Sequence, residues 1–153
     1  MGDPGCQRCR AYSQTAVTIP GGPTSSKIHF NNGMHGWQHS EEEYRTAFPQ
    51  LVKTIRAHAP NAKLLWATTT PLRNGKDVTW DTKAEYSDAR IAARNAIAAE
   101  MVAIEKILTV DLNASVQGHP ELHSDNVHFN GDGVKILAAE VSAAVEKLLL
   151  RER

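Results

Sequence analysis

The order of patterned segments predicts an α/β fold, a parallel sheet carrying helices on its faces. Strand-length apolar runs at residues 12–19, 28–32, 63–68 and 107–112 alternate with apolar-periodic stretches of helical length, the pattern of βαβ units. In such sheets the strand-to-helix connections gather at the carboxyl edge. Two connections here are crowded with amides and imidazoles, residues 31–36 and 119–133, so both are expected at that edge. At 153 residues the chain suits one domain with a single core, residues 1–10 reading as an irregular tail and 11–153 as the α/β domain.

The first ten residues are polar, contain Gly and Pro, and show no period. Tyr12, Thr15, Val17, Thr18 and Ile19 are strand formers, stopped by Pro20-Gly21-Gly22-Pro23. Ser25, Ser26 and Lys27 lead into Ile28-His29-Phe30-Asn31-Asn32, a second strand ended by Gly33. Only about eight residues separate these strands, whereas a parallel crossover needs about a dozen or more. Either they are not parallel neighbours of the ordinary kind or a crossover helix is missing. Ser40 followed by Glu43 is a capping box, with Glu41 and Glu42 adding negative charge to a first helical turn. Tyr44, Phe48, Leu51, Val52 and Ile55 then form one apolar stripe to about His58, before Pro60-Asn61. Residues 63–68 read as a strand that Pro71 ends, 72–82 as a polar loop, and Tyr86, Ile91, Ile97, Met101 and Ile104 as one long helix. Residues 107–112 are a fourth strand. Val134, Leu137, Ala138, Val141, Ala144, Val145 and Leu148 mark a closing helix to about Leu150, with Asn130 as its N-cap and Asp132 in its first turn.

Seventeen basic and seventeen acidic side chains cancel, so no long-range field directs the chain to nucleic acid or an anionic membrane. No apolar run approaches the roughly 18 residues of a membrane span. The first residues lack the apolar core of a signal peptide, which leaves the compartment open. Cys6 and Cys9 have neither the preceding strand of a redox motif nor a second ligand pair for zinc, and read as incidental. No cofactor is expected.

Residues 119–133 hold three of the seven histidines, His119, His123 and His128. Asp125 stands three residues before His128, a separation at which a short turn brings a carboxylate oxygen to Nδ1. That bond fixes the tautomer and leaves Nε2 to accept a proton from a nucleophile.

These motifs resemble the SGNH hydrolases, the GDSL-like esterases and lipases, over residues from about 28 to 150. Asp125-Asn126-Val127-His128-Phe129-Asn130 looks like the block that carries the family's catalytic acid and base. By that resemblance Asp125 orients His128, and His128 is the general base. Residues 109–112 resemble the strand before that block and 131–150 the family's closing helix. Gly33-Met34-His35-Gly36 stands where the family has Gly-x-Asn-Asp, so His35 takes the place of the oxyanion-hole Asn, with Asn32 as a substitute donor and Gly33 beside it. Ile19 to Ser25 looks like the block whose glycine N–H serves the oxyanion, which would be Gly22. The implied fold is a three-layer α/β/α, flavodoxin-like parallel sheet, incomplete at the N-terminus. The implied reaction is carboxylic-ester hydrolysis through an acyl-enzyme on a small-molecule or carbohydrate ester.

The departure is the nucleophile. No Gly-Asp-Ser occurs; Gly2-Asp3-Pro4 has proline where serine is required, so the serine would have to be Ser25 or Ser26, or come from another subunit. A truncated or decayed copy of such a hydrolase is the expectation, and loss of its first strand would uncover a sheet edge open to self-association. Two other readings stand beside ester hydrolysis: a non-catalytic remnant of the fold, and a metal site at His119, His123 and His128. Trp37 and Trp80 flank the reactive edge and could line a pocket.

Overall fold

The computed structural model describes residues 16–19, 27–78 and 85–150. Four strands form the main sheet in the order β1 (Ala16–Ile19), β2 (Lys27–Phe30), β3 (Lys63–Ala67) and β6 (Leu108–Val110). β2, β3 and β6 are parallel, in a register that sets Ile28 beside Leu64 and Ala67 beside Val110. β1 runs antiparallel to β2, pairing Ala16 with Phe30 and Ile19 with Lys27. An antiparallel partner needs only a hairpin, which is why so short a connection suffices, and β1 covers the flank of β2.

Helices α1 (Glu41–His58) and α2 (Asp88–Ile104) are the crossovers of β2 to β3 and β3 to β6. Ile28, Phe30, Leu64 and Trp66 face them, and bury Phe48 and Val52 of α1 with Ile97, Ala98 and Val102 of α2. Alternate residues point the other way. Leu65, Ala67 and Val110 pack on Ala144, Val141 and Val145 of the closing helix, Gly131–Leu150. Because β3 is buried on both faces, it reads as an unbroken apolar run rather than an alternating one. The result is three layers, α/β/α.

α1 begins as its sequence dictates: Ser40 Oγ accepts from Glu43 N–H, and Glu43 returns a carboxylate to the Ser40 N–H at 2.9 Å. Elsewhere two elements replace expected loop and helix. A small hairpin, β4 (Lys76–Val78) and β5 (Glu85–Ser87), interrupts residues 72–82, and Tyr86 belongs to it. α2 starts only after Ser87, whose hydroxyl caps Arg90 N–H. The fourth strand stops at Val110, because Asp111 turns to cap a short helix, α3 (Leu112–Val116). A single 3₁₀ turn, Pro120–Leu122, leads to the closing helix, α4 (Gly131–Leu150). None of these helices is long and apolar enough to cross a membrane.

Candidate active site at the carboxyl edge of the sheet

The segment between α3 and α4 is tied at its base by backbone bonds from Asn130 N–H to Leu122 C=O (2.8 Å) and from Ser124 N–H to His128 C=O (2.9 Å). Asn130 holds both ends of this bulge. Its Oδ1 accepts from the N–H groups of Asp132 and Gly133, capping α4, while its Nδ2 donates to Glu121 C=O. Gly133 lets the helix start close to the loop: a Cβ there would lie 2.6 Å from Leu122 O and 2.9 Å from the Phe129 ring.

At the tip, Asp125 Oδ1 accepts from the backbone N–H groups of Val127 and His128, both at 2.7 Å. Asp125 Oδ2 meets His128 Nδ1, also at 2.7 Å. The His128 N–H bond, then that from Val127 and then the imidazole lower the Asp125 carboxyl from 3.8 to about 2. An ionised carboxylate only accepts, so Nδ1 carries the proton and Nε2 presents its lone pair. The imidazole remains 77% exposed, so Nε2 is reachable by a bound molecule.

The other two histidines do not converge on it. His119 pairs with Glu121 at 2.8 Å on the surface. His123 is buried against Phe129, ring centroids 4.2 Å apart, and burial lowers its pKa. No three metal-binding side chains are grouped to hold an ion among the described residues, which corrects the expectation of a site at His119, His123 and His128. Spacing along a loop says nothing of which ring turns inward, and here packing on Phe129 decided it.

His128 lines a cleft of about 580 Å³. The opposite wall comes from the ends of β2 and β3: Asn31, His35 and Thr68 to Thr70. Asn31 Nδ2 donates to Ala67 C=O at 2.8 Å, joining the two strand ends. Thr68 bridges Asp111 and the Asn113 N–H, and Thr69 C=O accepts from both Asn95 and Asn113, so this edge is a connected amide network. His128 and His35 therefore share one cleft, and Asp125 reaches it through its bond to His128. Asn32 and Gly33 do not line it. Asn32 Oδ1 accepts from Tyr44, its Nδ2 buried without a partner among the described residues, and Gly33 is buried against Thr69, whose Oγ1 a Cβ would overlap. Trp37 is core, its ring tilted against Tyr86 with centroids 4.3 Å apart, while Tyr86 itself reaches the cleft. Gly22, Ser25, Ser26, Cys6, Cys9 and Trp80 lie outside the described residues.

The loop that presents His35 is held by a device not anticipated from the sequence. Arg94 of α2, fully buried, donates to the carbonyls of His35, Gly36 and His39, and stacks over Trp37 at 4.6 Å. Arg90 binds Glu41 at 2.8 Å and the carbonyls of Trp37 and His39. The available signal was an arginine at a position of α2 where its spacing from Ile91, Ile97 and Ala98 falls on the apolar stripe. The Thr68-Thr69-Thr70 run following an apolar strand was the corresponding signal for the far wall.

Comparison with known proteins gave three findings. The pattern of the GDSL-like Lipase/Acylhydrolase family matches residues 28–136. No curated protein matches the chain. Among solved structures, a GDSL-like lipase from Bacteroides thetaiotaomicron is similar, with TM-score 0.65 and 20% identity over 78% of this chain and 62% of that one. A carbohydrate esterase family 3 protein from Talaromyces cellulolyticus gives 0.63 at 16%, over 82% and 59%. The esterase domain of the zebrafish ZfL2-1 retrotransposon ORF1 protein gives 0.59 at 17%, over 71% and 61%. At these identities the likeness is one of fold. The chain thus spans about three fifths of the length of the structures it resembles.

Proposed function

Because the chain belongs to the GDSL-like lipase/acylhydrolase family, we propose that its site serves carboxylic-ester hydrolysis with His128 as general base and Asp125 as the carboxylate that orients it. The observation that carries this reading is the 2.7 Å bond from His128 Nδ1 to Asp125 at the mouth of a cleft on the carboxyl edge of the sheet. In the reaction His128 Nε2 takes the proton of a serine hydroxyl as its oxygen adds to the ester carbonyl. It then returns that proton to the departing alkoxide. Water repeats the cycle on the acyl-enzyme. His35 lines the same cleft, and we assign its ring N–H as the donor to the oxyanion, a contribution of about 3 kcal/mol for a preorganised donor. Asn32 and Gly33 do not line the cleft, so neither is given that role here. A small-molecule or carbohydrate ester is the substrate class, and Gly22, Ser25 and Ser26 remain the candidates for backbone donor and nucleophile.

The competing reading is a non-catalytic or truncated remnant of the family's fold. Intact mass after exposure to a fluorophosphonate separates the two. One adduct that disappears in His128→Ala, with the labelled serine identified by peptide mapping, is the expected result. Absence of any adduct on the folded chain would overturn catalysis by this polypeptide.

A further inference from the structure

The acid–base turn projects from the body of the protein, with Asp125 59% exposed and His128 more so, yet its geometry is tight. Asn126, between Asp125 and Val127, ties it to a second loop. Its C=O accepts from the Arg73 N–H (3.0 Å), its Oδ1 from the Asn74 N–H (2.9 Å), and its Nδ2 donates to Lys76 C=O (3.2 Å). The loop so gripped is itself fixed: Leu72 N–H donates to Asp88 Oδ1 at 2.8 Å, and Asp88 N–H to Gly75 C=O at 2.9 Å, at the start of α2. Gly75 has φ 72°, a left-handed conformation that suits glycine and turns the chain into β4.

We infer that Asn126 is the positioning residue of the site, clamping the Asp125–His128 turn against the 72–76 loop so that the carboxylate and the imidazole are held in register. The inference rests on the assignment of His128 as base, but its physical content does not need a nucleophile. An exposed four-residue turn otherwise samples several conformations, and each one that separates Asp125 from Nδ1 leaves the imidazole free to carry its proton on either nitrogen. The same clamp couples the turn to the β4–β5 hairpin, which places Tyr86 in the cleft. Only an amide fits all of this, because the site asks for one acceptor and one donor on a single short side chain.

The test is nitrogen NMR of His128 in the full chain at pH 8, wild type against Asn126→Ala, with a melting curve on each. In the wild type the proton is expected on Nδ1. In the alanine variant, still folded, the two tautomers are expected to mix, and the Asp125 carboxyl should titrate about one pH unit higher, a tenfold loss of preference for its charged form. Wild-type tautomer and titration in the folded variant would overturn the inference. Should alanine prevent folding, Asn126→Asp keeps the acceptor for Asn74, loses the donor to Lys76 C=O and adds a negative charge beside Asp125, so there the His128 tautomer alone is the readout. A smaller shift of the same kind supports the clamp, and an unchanged tautomer refutes it. Fluorophosphonate labelling reports on the nucleophile separately, so a positioned His128 without any adduct would leave the clamp intact and remove the proposed reaction alone.

Discussion

Asp125 is stabilised as an anion by groups within three residues of it, two backbone N–H groups and the His128 ring, and that sets how the site responds to acid. Its folded pKa, about 2, lies below the ordinary 3.8, so the stability it contributes is present above about pH 5 and is lost as the pH falls through 2. Labelling should therefore show no step from Asp125 itself between pH 4 and 8, and the Asp125→Asn variant tests its role directly. That variant is expected to lose labelling rate by about 10³- to 10⁴-fold, since an amide can hold the ring in the wrong tautomer. A loss smaller than tenfold would count against Asp125 as the orienting group. This much was legible in the sequence, because an acid three residues before a histidine can close its own turn.

At the scale of the element, α1 and α4 show how local chemistry and close approach contribute differently. The capping box of α1 is solvent-exposed and self-contained, so Ser40→Ala should cost about 1 kcal/mol, a fall of roughly 2 to 4 °C in melting temperature, and leave the cleft alone. Gly133→Ala acts on the site instead. Its methyl would press on Leu122 O and Phe129, costing about 1 to 3 kcal/mol, and would push the start of α4 away from the loop that carries His128. Thermal melts of the two, with the His128 resonances followed in parallel, distinguish them: Ser40→Ala should leave the resonances where they are, and Gly133→Ala should move them. The Ser40 signature could be read from spacing alone. The need for glycine at position 133 could not, since it depends on a loop folding back from residue 122.

For the whole molecule, three polar groups, His29 half-buried and His123 and Arg94 buried, tie stability to tertiary contacts. His29 on β2 and His123 under the acid–base loop both have pKa values lowered from 6.5 by desolvation, so the folded state prefers them neutral. The sign follows: the unfolded chain binds protons first as the pH drops below about 6.5, and stability falls with it. Melting temperature should decline between pH 7 and 5, and His29→Phe with His123→Phe should flatten that decline. An equally steep decline in the double variant would refute the assignment. Arg94 is the third. Truncating it to alanine removes one donor from each of the carbonyls of His35, Gly36 and His39 and should cost about 3 kcal/mol or more, loosening the cleft wall at His35.

What the sequence by itself determined is whatever a few neighbouring residues can enforce: the βαβ order, the α1 cap, the Asn130 cap of α4 and the Asp125–His128 turn. Hydrogen bonds that close within four residues leave a spacing that can be read directly. The tertiary structure decided the rest. It set β1 antiparallel to β2, made a hairpin of residues expected in a loop and a helix, sent His119 and His123 away from His128, and turned Asn31 rather than Asn32 into the cleft. Each of those outcomes depends on which face of an element is buried by a partner tens of residues away, and no local pattern encodes that choice.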